Sequence, residues 1–165
     1  PDGTYRADKR ITRGEFLKLT MNPVLVDGQR LNDCIAKEAD APEMNSKIFY
    51  TDVRADDWFA KEVCMAHVTK IVNGYPDGTF KPNHYISFAE AAKITANVFA
   101  YSLDRESGDE WWYMPYVERL ADLQAIPTTI RTPEHEITRG EMGEIIFRLH
   151  SKNVTKASQG AAMFR

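Results

Sequence analysis

Pro76-Asp-Gly-Thr-Phe-Lys-Pro-Asn-His-Tyr-Ile-Ser-Phe-Ala-Glu90 is the stretch from which this 165-residue chain is best read. A near-copy opens the sequence, Pro1-Asp-Gly-Thr-Tyr-Arg-Ala-Asp-Lys-Arg-Ile-Thr-Arg-Gly-Glu15, and a decayed one stands at Ile137-Thr-Arg-Gly-Glu141. Asp2-Gly3 and Asp77-Gly78 are tight-turn dipeptides, with proline ahead to preset φ and glycine to accept a positive one. Each copy then reads hydroxyl-x-x-Glu: Thr12 and Glu15, Ser87 and Glu90, Thr138 and Glu141. These are capping boxes, in which the hydroxyl takes an orphan N–H of a helix start and the glutamate reaches back to the cap. Isoleucine precedes every box (Ile11, Ile86, Ile137), where an apolar side chain staples the helix entry. Internal repetition on this scale dictates architecture.

Apolar residues follow each box at helical spacing. The first helix offers Phe16, Leu17 and Leu19 and is barred by Pro23 from running much past Met21. The second offers Ala91, Ala92, Ile94, Val98 and Phe99; the third offers Met142, Ile145, Ile146 and Leu149. Each stripe is too short to bury itself, and three related stripes close on one another as a three-helix core. Further helices are expected over 29–38 and 61–70, and from Trp112 to Gln124. Loop is expected at 41–46, a polar linker at 103–110, and a loosely held, flexible tail at 151–165.

Composition bounds the function classes. Apolar content of 43% and charged content of 27% are globular values. A net charge of −3 without a basic stripe argues against nucleic acid as the main partner. No apolar run reaches about 18 residues, so membrane insertion is not expected. Cys34 and Cys64 permit a single pairing, and both a disulfide and two buried thiols fit their spacing. Because residue 1 falls inside a repeat, the chain is expected to be a processed or trimmed piece of something longer.

The residues together resemble the S-layer homology (SLH) family. The resemblance is carried by Phe49-x-x-Asp52-Val53, Trp58, Val63, Ile71-Val-x-Gly74, Asp77-Gly-Thr-Phe80 and the two Ile-Thr-Arg-Gly-Glu boxes. It implies a mainly α fold: a pseudo-threefold spindle with a three-helix core and helix-loop-helix prongs. Residues 1–150 would be a single domain, with 1–22 the second half of repeat 1, 23–48 a connecting segment, 49–101 repeat 2 and 109–150 repeat 3. The family holds bacterial surface proteins non-covalently to cell-wall polysaccharide, commonly a secondary polymer carrying pyruvate ketals, in grooves between prongs. The resemblance therefore implies a non-catalytic, extracellular module of the cell wall or S-layer. If the chain is exported, the cysteines favour a disulfide.

The residues supply a chemistry that suits such a ligand. Arg13 and Arg139 follow their caps directly, placing a planar guanidinium beside a helix start whose N–H groups and dipole favour an anion. A surface salt bridge to a neighbouring glutamate is the alternative use of either arginine. Trp58 and Trp112 are expected in the core as prong anchors, a flat face offered to a sugar being the alternative. The second box has Phe88 where the family has Arg, and the third unit lacks Asp-Gly-Thr, which puts the loop beside Arg139 in question. The first unit lacks its Asp-Val and Trp half. One competent groove is therefore expected, formed by Arg13 or Arg139 with Asp52, Trp58, Asn73, Gly74 and Asp77. Self-association, or a partner chain supplying the missing half-repeat, is the corresponding expectation for assembly; a subunit–subunit connector of a surface lattice or fibre is the alternative function.

Other chemistries fare worse. Glu15, Glu90 and Glu141 are spent as caps, which leaves no evident pair of catalytic carboxylates. The stretch 73–84 fails as a calcium loop, with Tyr75 at a ligand position and His84 where a bidentate glutamate belongs. Neither histidine pairing nor cysteine spacing fits zinc, and neither a phosphate loop nor a nucleophile elbow is present. No metal or cofactor is expected.

Overall fold

The computed structural model describes residues 3–22, 33–36, 48–99, 111–152 and 155–165. The loop expected at 41–46, the linker at 103–110 and most of the helix at 29–38 lie outside these residues; 33–36 are helical. The helices are α1 (Arg13–Met21), α2 (Ala60–Val68), α3 (Phe88–Val98), α4 (Met114–Asp122) and α5 (Arg139–Ser151), followed by a 3-10 turn at Ala161–Phe164. Among the described residues the only β pairing is in isolated bridges, so the fold is mainly α.

Local sequence explains where the helices start and stop. In α1, α3 and α5 the cap hydroxyl accepts the N–H of the third helical residue while that residue's carboxylate accepts the cap's own N–H. The return bonds are 3.0 Å for Thr12–Glu15, 3.1 Å for Ser87–Glu90 and 2.8 Å for Thr138–Glu141. No side chain caps α2 or α4, whose first turns follow Phe59 and Tyr113; α4 carries proline there. Both of these helices are followed by a residue at left-handed φ, Lys70 (61°) and Gln124 (53°). The chain then turns back, with Ile71 N–H on the Ala66 carbonyl at 2.8 Å and Ala125 N–H on that of Leu120 at 2.9 Å.

Two compact units divide the chain, one of residues 12–84 and one of residues 1–11 with 85–165. The division does not follow the repeats. In the first unit, the helix of the first repeat (α1) packs on α2, which belongs to the second. Its core holds Phe16, Leu17 and Met21 of α1, Val63, Cys64 and Ala66 of α2, and Phe80, all fully buried. Burial of each Phe, Leu, Met or Val side chain among these contributes about 1.5–3 kcal/mol. Cys34 and Cys64 form a disulfide across 30 residues with Cα atoms 6.1 Å apart. A cross-link of that span stabilises by about 3–4 kcal/mol in the chain-entropy account.

In the other unit α3 packs on α4, and α4 on the 3-10 turn. Here the three isoleucines that precede the capping boxes form a closed ring. Ile11 N–H donates to the Ile137 carbonyl (3.1 Å), Ile137 to Ile86 (3.2 Å) and Ile86 back to Ile11 (3.2 Å). All three side chains are fully buried.

The expectation of a loosely held tail is corrected. Gln159 N–H bonds the Ile126 carbonyl at 3.0 Å, and Ile126 N–H bonds Ser158 Oγ at 3.1 Å. The buried Arg148 guanidinium donates to the carbonyls of Gln124, Lys156 and Ala157 and pairs with Glu144. Phe164 is buried with its ring 5.0 Å from that of Phe88. One aromatic anchor and one carbonyl-reading arginine secure a segment whose composition looks disposable.

Candidate functional site

The turn at 74–81 is built to be stiff. Gly74 has φ +70°, and a Cβ there would lie 2.3 Å from Tyr50 Cε1 and 2.9 Å from the Thr79 carbonyl oxygen, so only glycine fits. Tyr75 N–H donates to the Thr79 carbonyl at 2.8 Å, and Gly78 N–H to that of Tyr75 at 3.0 Å. Both Asp52 oxygens accept turn backbone N–H groups, from Phe80 at 2.7 Å and Lys81 at 2.8 Å. Asp77 is exposed and accepts the Thr79 hydroxyl and N–H, with Lys81 Nζ at 3.3 Å. These Thr79 donors, and then Lys81, hold its carboxyl below the ordinary aspartate value. Beneath the turn, Tyr50 bonds His67 Nδ1 at 2.9 Å, and burial pushes its phenol up to about 12.

The helix N-termini, expected to attract an anion, are filled by the protein itself. At α1, Arg13 N–H donates to the His84 carbonyl (2.8 Å) and Gly14 N–H to that of Pro82 (2.9 Å), while Thr12 Oγ1 takes Glu15 N–H. At α3, Phe88 and Ala89 donate to His135 and Pro133 with the same pair of distances. At α5, Arg139 and Gly140 donate to Lys9 and Ala7, again at 2.8 and 2.9 Å. With these first-turn donors satisfied, an incoming carboxylate has no open N–H to meet there, and the idea of ligand capture by bare helix ends is withdrawn. The pattern also shows that each helix receives the turn of another repeat. The turn beside Arg139 is therefore that of the first copy, and the shortened third turn lies beside Phe88.

What the arginines keep is their side chains. Arg13 is buried, its guanidinium carbon 5.1 Å from the Tyr75 ring centroid and 4.9 Å from that of Phe80. Lys81 Nζ lies 4.2 Å from the Tyr75 centroid, so this ring contacts two cations. Arg139 repeats half of the arrangement: it lies 5.2 Å from the Tyr5 ring and donates Nε–H to the Tyr5 carbonyl at 3.1 Å. Tyr5 and Phe80 occupy the same place in their copies, the aromatic after Asp-Gly-Thr.

The structure thus gathers Arg13, Asp52, Gly74 and Asp77 around one turn, on which Asn73 is exposed. Asp52 and Gly74 act on the backbone of the turn. Trp58 and Trp112 are not core anchors as expected, being 55% and 42% exposed. Lys18 Nζ, which bonds the Trp58 carbonyl at 2.8 Å and Glu62 at 2.9 Å, sits 5.6 Å from the Trp58 ring. Lys93 sits 5.5 Å from the Trp112 ring. Tyr5, Tyr75, Phe80 and Lys81 were missed by sequence reasoning. The recurring aromatic–basic pairs Tyr5-Arg6 and Phe80-Lys81 were the signal available.

Capped helices, each receiving at its N-terminus the turn of another copy, define a helical repeat protein, with arginine–aromatic contacts at α1 and α5. Residues 49–92 match the sequence profile of the S-layer homology domain. The chain is similar to the Middle cell wall protein of Brevibacillus brevis, at 32% identity over 146 residues, 88% of this chain and 12% of that protein. It is 37% identical over 101 residues to the Surface layer protein of Brevibacillus choshinensis, covering 61% of this chain and 8% of the relative. It is 25% identical over 165 residues to the Cellulosome-anchoring protein of Acetivibrio thermocellus, covering 90% of this chain and 34% of the relative. The chain thus spans only part of these relatives, from 8% to 34% of their length. It carries an S-layer homology domain at residues 49–92, the mark of a bacterial cell-surface protein. Among the described residues no helix is long and apolar enough to cross a membrane.

Proposed function

We propose that the chain is a non-catalytic anchoring module that binds an acidic bacterial cell-wall polysaccharide, of the pyruvylated secondary-polymer kind, at the turn beside Arg13. The supporting observation is Tyr75, an aromatic ring in contact with both Arg13 and Lys81. A sugar ring offers a C–H face to an aromatic, and a ketal carboxylate seeks cations, so one such patch addresses both parts of the ligand. Domain membership and the names of the relatives support the anchoring role. On this reading the arginine acts through its guanidinium, and the turn residues Asp52 and Gly74 act by holding Tyr75 in place.

Co-sedimentation with purified cell-wall sacculi, with and without their secondary polymer, tests the proposal. Binding is expected only with the polymer present. Tyr75→Ala and Arg13→Ala are each expected to weaken it at least about tenfold, or about 1.4 kcal/mol. Arg139→Ala, at the site with one arginine–aromatic contact, is expected to weaken it less. Undiminished binding by folded Tyr75→Ala and Arg13→Ala proteins overturns the site.

A further inference from the structure

The third turn is too short to repeat what the second one does. Twelve residues lead from the left-handed Lys70 to Pro82, the first carbonyl docked on α1. Nine lead from the left-handed Gln124 to Pro133, its counterpart on α3. In the second turn the additional residues fold back on themselves, Tyr75 N–H on the Thr79 carbonyl and Gly78 N–H on that of Tyr75, and they bring the Tyr75 ring to Arg13. The third turn lacks the length for such a hairpin.

The C-terminal segment stands in that gap. Ile126, two residues after Gln124, gives its N–H to Ser158 Oγ at 3.1 Å and receives Gln159 N–H on its carbonyl at 3.0 Å. The Gln159 side-chain amide donates to the Thr128 carbonyl at 3.1 Å. From there the 3-10 turn carries Phe164 onto Phe88, where it is 2% exposed with the two ring centres 5.0 Å apart. Tyr113, the residue before α4, donates its hydroxyl to the Phe164 carbonyl at 3.2 Å, and Arg165 pairs with Glu118 of α4 at 3.0 Å. Arg148 of α5 grips the carbonyls of Lys156 and Ala157 together with that of Gln124, tying the segment to the point where the third turn begins. Phe88 directly follows its cap, as Arg13 does. The ring that reaches Phe88 comes from the far end of the chain, whereas the ring that reaches Arg13 comes from the turn itself.

We propose that residues 158–165 are a strap that replaces, from a distant part of the chain, the three residues the third turn lacks, and that keeps the N-terminus of α3 closed with Phe164 as its built-in occupant. Its two ends have separate tasks. Ser158 and Gln159 satisfy backbone groups of Ile126 and Thr128 beside the shortened turn, and Ile126 is fully buried, where an unpaired N–H or carbonyl is costly. Phe164 fills beside Phe88 the place that Tyr75 fills beside Arg13. While the strap is docked Phe88 is fully buried, so an external ligand has no access to the residue after the α3 cap.

Restoring the turn tests this. Insertion of Tyr-Pro-Asp after Thr128 gives the third turn the length of the second and is expected to displace the strap. The Gln159 amide should then exchange with solvent at least about tenfold faster, while Arg13 and Gly14, docked on the second turn, keep their wild-type rates. Unchanged protection of Gln159 in the folded insertion variant overturns the proposal, because strap and turn then do not share one place. Ser158→Ala is the gentler probe, in a chain of native length. Without the Oγ acceptor for Ile126, the amides of both Gln159 and Phe88 are expected to exchange at least about threefold faster. Faster exchange at Gln159 with Phe88 unchanged overturns the closing of α3 by the strap.

Discussion

The turn that follows α2 and the turn that follows α4 perform the same backbone task and leave opposite surfaces. Each gives two carbonyls to the first N–H groups of a capped helix, Pro82 and His84 to α1, Pro133 and His135 to α3, at matching distances. Around α1 the side chains form a stack of arginine on two aromatics. Around α3 the register is inverted: Phe88 takes the place of Arg13, and Arg131 stands six residues before Ile137, as Phe80 does before Ile86. Phe88 is fully buried and covered by Phe164. Carbonyl-to-amide docking depends little on side-chain identity, so a repeat keeps its fold while an arginine–aromatic stack is replaced by aromatic packing.

Removing the cover is the strongest way to break this comparison. Phe164→Ala takes a fully buried ring from between α4 and Phe88, and should cost about 3–5 kcal/mol by chemical denaturation. The matching attack on the other turn is Gly74→Ala, which forces a left-handed φ on alanine and drives its Cβ into Tyr50. About 2–3 kcal/mol should be lost, with glycan binding falling alongside because Tyr75 is displaced.

A third test sharpens the contrast through pH. Burial pushes the Glu141 carboxyl up, but hydrogen bonds from Thr129, Thr138 N–H and His135 outweigh it and hold it below the ordinary value. Its contribution to stability is therefore present above the unfolded value of about 4.3 and is lost as pH falls through the lower folded one. Glu141→Gln should flatten the acid arm of the stability–pH profile; an unchanged arm would show that these bonds do not favour the charged form. The smallest effect is expected after α2 and α4, where Lys70→Gly and Gln124→Gly each relieve a left-handed residue and should gain about 0.5–1 kcal/mol in thermal melts.

The local rules were legible because they act within a few residues. The Thr12, Ser87 and Thr138 boxes, the stop at Met21 and the turn at Asp77-Gly78 follow from spacing and backbone preference. Trp58 and Trp112 were misjudged because size and apolarity suggest a core anchor, whereas their exposure is set by what packs around them. The tail was misjudged for the converse reason: Phe164 and Arg148 hold it through partners distant in sequence.

By itself, then, the sequence determined three capped helices, their repeat order and the family they resemble, since capping, turn chemistry and periodicity are short-range. Only the tertiary structure decided that each turn serves another repeat's helix, that the helix N–H groups are already taken, and that Tyr75 rather than a bare helix end faces the cations. Those outcomes depend on which distant carbonyl or ring reaches a group first, and no window of neighbouring residues carries that information.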